Sequence, residues 1–323
     1  MSTKIGIICG GYSSEFEISL KSATTIHYHL PDGVESYLVV MSTKGWYVQK
    51  GHEQLDFDPM SFSFMDDGKV VELDAAIVYI HGDPGENGKV QAFLEIIGKP
   101  YVNSGPLASE LSFDKWYCNQ FLKGFEIPVA SSIYLRKGEE LPSVDLVTKE
   151  LGMPVFVKPC DSGSSYGIAK VNQSDQLQLA VKAAFEEGDS VVIEGFLEGT
   201  EVTCGVYNTE SGMVALPPTE IVSHTEFFDF EAKYKGLSDE ITPARISAEL
   251  TKKVQDMAKK IYQLLQLRSV ARIDFMIVKG IPHVIEVNTT PGFSAESIVP
   301  KMIAVDGKTI TQVWSDILQY ELR

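Results

Sequence analysis

The 323-residue chain is poor in cysteine, with four, at positions 9, 118, 160 and 204, and no CxxC pair. A disulfide framework or zinc knuckle is therefore not expected, and a reduced, cytoplasmic setting is the simplest reading. Positive charge is also short: 28 Lys and Arg against 44 Asp and Glu, a net charge of −16. That argues against nucleic acid as a partner, which calls for a basic footprint, although a few well-placed lysines suffice for phosphate groups. No apolar run reaches the ~18 residues of a membrane span, so no membrane partner is expected. The opening MSTKIGIICGG is too short for the apolar core of a signal peptide. A Walker loop, internal repeats and low-complexity tracts are absent as well. What is present is an ordinary globular balance, 44% hydrophobic and 22% charged, enough to bury a sizeable core. At ~150 residues per domain the length suggests two domains or three lobes.

The first third alternates strand-like and helix-like segments. Residues 4–9 read as a strand ending in Gly10-Gly11. Ser14 and Glu17 have the spacing of a capping box, opening a helix that turns Ile18, Ala23 and Ile26 to the core. Strands are expected at 36–41 and 75–80, and a helix at 89–97 that stops at Gly98. This rhythm predicts a parallel sheet covered by helices, with ligands at the carboxyl ends of its strands. Asn103-Ser104-Gly105-Pro106 is turn chemistry and a boundary. Helices follow at 107–111 and 114–123, then strands at 131–135 and 154–158 around a helix at 143–151. A helix at 174–187 and a strand at 190–194 complete the middle section. Strands are expected at 201–207, 213–216 and 219–222, then a long charged loop at 224–245. Ser247 caps a helix to about 266, and strands 269–278 and 283–287 form a hairpin around Lys279-Gly280.

The hairpin holds the clearest chemistry. Arg272 and Asp274 lie two apart and share a face, as do Glu286 and Asn288. In register, the four side chains come together, and two carboxylates with an amide oxygen suit a hard cation such as Mg²⁺. A solvated sheet face would show the same alternation, but Ile273, Phe275 and Val287 make the opposite face apolar. Thr289-Thr290-Pro291-Gly292 then forms a turn whose N–H groups can face an oxyanion. Lys158 ends a buried strand before the small-residue loop Cys160–Gly167, which suits phosphates and equally a plain flexible turn. His81 begins HGDPGENG where a parallel sheet binds ligands, yet a lone His is as often structural. Glu86-Asn87-Gly88 reads as turn and helix-start chemistry. Glu15 suits either the helix dipole or a substrate ammonium. Lys115 and Lys233 are single lysines whose default place is the surface. Glu194 and Glu201 flank Phe196-Leu197 between two strands, a spacing that suits a hinge around an adenine without establishing one.

In this order the clusters resemble the D-alanine–D-alanine ligases of the ATP-grasp superfamily. GGYSSEFEISLKS at 10–22 is similar to the family's opening motif. HGDPGENGKVQA at 81–92 is similar to its first signature, and ARIDF at 271–275 with IEVNTTPG at 285–292 to its second. FVKPCDSGSSYG at 156–167 and DFEAKY at 229–234 fall in the expected order between them. The resemblance implies an α/β chain, α+β in its C-terminal half. A Rossmann-like, substrate-binding N-terminal lobe (1–105) precedes a two-lobed ATP-grasp domain. Its central lobe spans 106–199 and its C-terminal lobe 200–323, with the 224–245 loop as a lid.

The resemblance also implies the reaction. ATP phosphorylates one D-alanine to an acyl phosphate, and the amine of a second D-alanine displaces phosphate, giving D-alanyl-D-alanine for peptidoglycan and cell-wall synthesis. It implies two Mg²⁺ ions (or Mn²⁺) on Asp274, Glu286 and Asn288. Lys115 and Lys158 contact ATP phosphates and Lys233 the transferring one. Glu194, Phe196 and Leu197 hold adenine, and Glu201 holds ribose. Glu15 binds the first ammonium, with His81 near its carboxylate, and Ser297 binds the second carboxylate. Arg272 and the Gly292 amide form the oxyanion hole. Ser164, Tyr234 and Glu15 link to close the lid. Phe16 and Tyr166 stand where a basic and a small aliphatic residue are frequent. Glu296 replaces a frequent His, and Ser269 a Gly or Ala. A homodimer is implied as well.

Three alternatives carry weight. A D-alanyl-D-lactate or D-alanyl-D-serine ligase shares the chemistry, but lactate-forming relatives tend to replace the lid's Lys-Tyr with a His-containing segment. Lys233-Tyr234 therefore favours D-alanine. Another ATP-grasp carboxylate–amine ligase is disfavoured by HGDPGENG. A nucleotide-binding regulator would have no use for Arg272 as an oxyanion donor.

Overall fold

The computed structural model describes residues 2–161, 167–223 and 238–322. Three sheets organise the chain. In the first, β1 (Thr3–Gly10) lies between β2 (Val34–Ser42) and β7 (Ala75–Val78), and β7 pairs with β8 (Tyr101–Val102), all in parallel. The apolar stretches Ile5–Cys9, Leu38–Met41 and Ala75–Val78 within them suit strands covered on both faces. Helices α1 (Phe16–Tyr28) and α2 (Lys89–Ile96) supply the crossovers. The parallel sheet expected from the sequence is only half of this layer. An antiparallel meander extends it: β3 (Gly45–Lys50), β4 (Glu53–Asp58), β5 (Ser63–Asp66) and β6 (Lys69–Glu72).

The capping box does not form. Helix α1 starts one residue later, with Glu15 as N-cap and no side-chain cap. Ser13, not Ser14, is the local anchor: its hydroxyl takes the Glu15 N–H at 3.2 Å and donates to the His81 carbonyl at 2.7 Å. These two bonds tie the start of the first helix to the His81 loop. Ala23 and Ile26 are buried as expected, but Ser19 and Ser22 share that face and Ile18 is only half-buried.

Helices α3 (Pro106–Phe113) and α4 (Lys115–Lys123) lead to the second sheet. Asp114 caps α4 through the Tyr117 N–H. The second sheet runs in the order β11 (Ala169–Val171), β10 (Val155–Pro159), β12 (Ser190–Gly195), β9 (Ser132–Arg136). Helices α5 (Val144–Leu151) and α6 (Leu177–Glu187) pack their apolar faces on it. The third sheet holds β13 (Thr200–Thr209), β14 (Gly212–Ala215), β15 (Thr219–Ser223), β16 (Ser238–Ile241), β17 (Ala271–Val278) and β18 (Ile281–Asn288). Strand β16 corrects the expected 224–245 loop: residues 238–241 pair antiparallel with β15. Helix α7 (Ala248–Leu264) covers this sheet, and Ser247 caps it as expected.

The C-terminal helices α8 (Ile298–Val305) and α9 (Ile310–Glu321) return to the first sheet. Ile5, Ile7 and Ile26 share one core with Phe293, Met302 and Trp314. Arg268 fastens the same junction, donating to Glu321 at 2.5 Å and to the Tyr101 carbonyl at 2.7 Å. The two ends of the chain are thereby packed together.

All four cysteines are buried, including Cys160 beside the phosphate loop. Burial pushes each thiol up to about 12; a hydrogen bond with Ser190, and then Lys115, pull Cys160 the other way, but less. Since the thiolate is the nucleophile, native protein at pH 8 should resist iodoacetamide, and denatured protein should label at four sites. Fast native labelling of Cys160, counted by mass spectrometry, would contradict this burial.

Candidate active site

The β17–β18 hairpin pairs Arg272 with Asn288 and Asp274 with Glu286, so the four polar side chains share one face as expected. Lys279 (φ 49°) and Gly280 (φ 79°) make its left-handed two-residue turn. Arg272 grips Asp274 with both ends of its fork, at 2.8 Å each. Thr203 Oγ1 and Asn288 Nδ2 also donate to that carboxylate. Asp274 is thus fixed in place, and Glu286 faces it across the register. Among the described residues no three His, Cys, Asp or Glu side chains converge as a metal-binding group. The hard donors here are two carboxylates and one amide.

A cavity of about 350 Å³ opens between the second and third sheets. Lys158, Glu194, Phe196 and Leu197 line it from one side, Glu201, Asp274 and Glu286 from the other, and Lys115 from α4. The structure therefore gathers the whole predicted nucleotide set that lies within the described residues. Lys158 donates to Glu194 at 2.6 Å, and Asn119 Nδ2 donates to the other carboxylate oxygen at 3.1 Å. Burial alone would lower the Lys158 pKa, but Glu194, Glu286 and Glu201 overcome it and hold the ammonium charged.

A second group stands outside that cavity, where the first sheet meets the hairpin. His81 is buried, with Nε2 at 3.1 Å from Ser22 Oγ. Desolvation lowers its pKa, while the Glu15 carboxylate and the Thr290 backbone pull upward less strongly. Gly82 turns the chain at φ 69°, and a Cβ there would lie 2.9 Å from Ser13. A Cβ on Gly292 would come within 3.1 Å of Ser297 Oγ, so the two residues adjoin. Ser297 precedes α8 without capping it; its hydroxyl takes the Ser294 N–H at 3.0 Å instead. Ser269 adopts φ 57°, a left-handed position that accounts for the expected glycine. Ser164, Lys233 and Tyr234 lie outside the described residues, as does most of the proposed lid.

Sequence reasoning missed Glu86. Burial first, and then the Glu15 and Glu286 charges, push it up to about 8, against a Gly82 N–H bond at 2.8 Å. Its one sequence signal is its place in HGDPGENG, after a buried strand. Because its folded value lies above the ordinary 4.5, its contribution to stability is complete below about pH 4.5. It is lost as pH rises toward 8. Glu86→Gln should flatten that decline between pH 5 and 8. A melting-temperature profile identical to wild type would count against the assignment.

The model of the D-ala D-ala ligase N-terminus matches residues 4–104, and that of the D-ala D-ala ligase C-terminus matches residues 121–319. The chain belongs to the D-alanine–D-alanine ligase family. Ligases of that name from Parabacteroides distasonis and Bacteroides fragilis (strain ATCC 25285) are 44% and 42% identical to it. These alignments cover 100% and 99% of this chain, and 98% and 99% of the relatives. Among solved structures, the VanG D-Ala:D-Ser ligase from Enterococcus faecalis superposes with TM-score 0.89 at 28% identity, covering 99% of both chains. D-alanyl-alanine synthetase A from Vibrio cholerae gives 0.88 at 30% identity, covering 99% and 98%. The ATP complex of the Bacillus anthracis D-alanine–D-alanine ligase gives 0.80 at 29%, covering 100% and 98%. The fold of this ligase family is the ATP-grasp, with the cavity described above between two of its sheets.

Proposed function

We propose that this chain joins two D-alanine molecules into D-alanyl-D-alanine, driven by ATP, as a step in cell-wall precursor synthesis. One observation carries the reading: lysines 115 and 158 and carboxylates 274 and 286 meet in one cavity, in a chain 44% identical along its length to a ligase of that name. The near-equal superposition of a D-Ala:D-Ser ligase means that fold alone does not select the second substrate. The higher identity to D-alanine–D-alanine ligases, together with Lys233-Tyr234, favours D-alanine over D-serine or D-lactate.

ATP occupies the cavity in this reading. Phe196 and Leu197 flank the adenine with Glu194, and Glu201 takes the ribose. Lys115, Lys158 and Lys233 hold the phosphates; Lys158 exchanges the Glu194 carboxylate for the more highly charged polyphosphate. Asp274, Glu286 and Asn288 present the hard oxygen donors that suit Mg²⁺ (or Mn²⁺), with Asp274 shared with Arg272. When bound, two such ions neutralise phosphate oxygens. Glu15 holds the first ammonium and His81 stands by its carboxylate, which attacks the γ-phosphorus and releases ADP. Ser297 holds the second D-alanine by its carboxylate, and its neutral amine attacks the acyl carbon. Arg272 and the Gly292 N–H receive the oxyanion, which collapses with loss of phosphate. The same reading divides the chain into lobes 1–105, 106–199 and 200–323 and places a homodimer in the cytoplasm. No helix among the described residues is long and apolar enough to cross a membrane.

The test is product analysis with ATP, Mg²⁺ and equal D-alanine, D-lactate and D-serine across pH. D-alanyl-D-alanine should dominate near neutrality; a depsipeptide or D-alanyl-D-serine as main product would overturn the second-substrate assignment. The lid has its own test. In this reading the Tyr234 hydroxyl joins Ser164 and Glu15, so Tyr234→Phe would remove a hydrogen bond worth ~1 kcal/mol net. The lid then excludes water less well, so dipeptide formed per phosphate released should fall below one. Unchanged coupling would make Tyr234 a packing residue.

A further inference from the structure

The turn Thr290–Phe293 carries the Gly292 amide, yet side chains from the opposite end of the chain hold it. Asn103 Nδ2 donates to Thr290 Oγ1 at 3.1 Å and to the Val78 carbonyl at 2.8 Å. Gln91 donates to Asn103 Oδ1 at 3.3 Å, which turns the Asn103 amide nitrogen toward Thr290. The Tyr79 phenol donates to the Pro291 carbonyl at 2.8 Å. The Phe293 N–H donates to Ser22 Oγ at 3.1 Å. Since Ser22 accepts there, its own hydrogen is available to His81 Nε2 at 3.1 Å. Ser22 is 0%, Tyr79 2% and Asn103 2% exposed, so water does not compete for these bonds. Beneath them the Phe293 ring meets Tyr79 at 5.9 Å and Trp314 at 5.6 Å. Thr290, Pro291 and Phe293 are each anchored, and Gly292, with no side chain of its own to lock it, lies between them.

We propose that Ser22, Tyr79 and Asn103 are positioning residues for the ligation step, forming a clasp that aims the Gly292 N–H at the oxyanion. This rests on the reading of Gly292 as an oxyanion donor. The physical need is preorganisation: a backbone donor stabilises developing charge only if it already points at the place where that charge appears. A glycine in a turn is the backbone least able to hold such an aim by itself. Three bonds to neighbouring residues, made by side chains from α1, the end of β7 and the end of β8, supply the missing rigidity. They also couple the oxyanion donor to the lobe that carries Glu15 and His81.

The experiment compares Ser22→Ala, Tyr79→Phe and Tyr207→Phe. Tyr207 is also a buried ring, whose phenol oxygen accepts from Lys308 Nζ at 2.8 Å, but it takes no part in the clasp. Ser22→Ala keeps a good helix former and Tyr79→Phe keeps the ring, so all three variants should fold. Ser22→Ala and Tyr79→Phe should each lower kcat for dipeptide formation by roughly 10-fold, with KM for ATP within about twofold. Tyr207→Phe should lower the melting temperature and leave kcat alone. Hydrogen exchange followed by mass spectrometry should show faster exchange confined to 289–297 in the two clasp variants. Unchanged kcat in both, or an equal loss in Tyr207→Phe, would overturn the proposal. If wild type forms no dipeptide, the functional reading fails by itself, and exchange then decides the clasp: local acceleration supports it and unchanged exchange overturns it.

Discussion

Glu286→Gln should lower kcat by at least ~10²-fold while leaving the protein folded. The substitution keeps the side chain's shape and removes one charge. Glu286 lines the cavity and lies directly across the hairpin from Asp274, where the γ-phosphate would gather negative charge and a cation would offset it. Stability should change little. The carboxylate stands near Glu86, whose pKa it helps to raise, so removing it relieves repulsion between like charges. The same variant should therefore bring the Glu86 pKa down from about 8. Steady-state ADP release gives kcat, and circular dichroism with a thermal melt reports folding. Wild-type turnover in a well-folded variant would remove Glu286 from the mechanism.

Arg272→Lys should be equally damaging, by ~10²- to 10³-fold in kcat, although it conserves charge. The guanidinium spends two N–H groups on Asp274, at 2.8 Å each. Its planar fork carries five N–H donors in a fixed geometry, which can address more than one oxygen at once. An ammonium has neither the reach nor the plane to hold Asp274 at two points and meet an oxyanion as well. ADP affinity, measured by calorimetry, should stay within a few-fold, because Arg272 does not line the nucleotide cavity. A kcat within twofold of wild type would mean that the Gly292 amide alone stabilises the intermediate, or that the oxyanion lies elsewhere.

How far the fold could be read in advance depended on how local its causes are. The 271–288 hairpin was legible because alternation around Arg272 and Asp274 and around Glu286 and Asn288, with Lys279-Gly280 as the turn, buries Ile273, Phe275 and Val287 together, even though the pairing skips Ile285 between them. The 45–72 meander was not, because strands such as Glu53–Asp58 carry charge on both faces and bury little. One signal for it was present: Asp67 (φ 47°) and Gly68 (φ 75°) form the two-residue turn between β5 and β6, and Asp-Gly is a strong hairpin dipeptide. Ser14 and Glu17 matched a capping box by spacing, but the neighbouring Ser13 had a better partner in the His81 loop, 68 residues away. Cys160 follows β10 beside a polar loop, a place that leaves exposure open, and a contact 30 residues away decides it: its N–H bonds the Ser190 carbonyl and the residue is buried.

The site divides along the same line. Residue types at fixed spacing marked Arg272, Asp274, Glu286 and Asn288 as one group, and the family's motif order marked the nucleotide residues. Glu86 escaped because its perturbation comes from Glu15 and Glu286, 71 and 200 positions away in sequence. The clasp escaped because Ser22, Tyr79 and Asn103 are individually ordinary core polar residues. Only the packing of the first sheet against the C-terminal helices brings them to the 290–293 turn.

The central claim is that the carboxylate of one D-alanine takes the phosphoryl group before the second D-alanine attacks. Incubating the enzyme with ATP, Mg²⁺ and D-alanine labelled with ¹⁸O in its carboxylate, then weighing the released phosphate by mass spectrometry, tests this directly. One ¹⁸O per phosphate, appearing in step with dipeptide, is the predicted result. Phosphate that carries no label while dipeptide accumulates would contradict the acyl-phosphate route and the roles assigned to the residues around it.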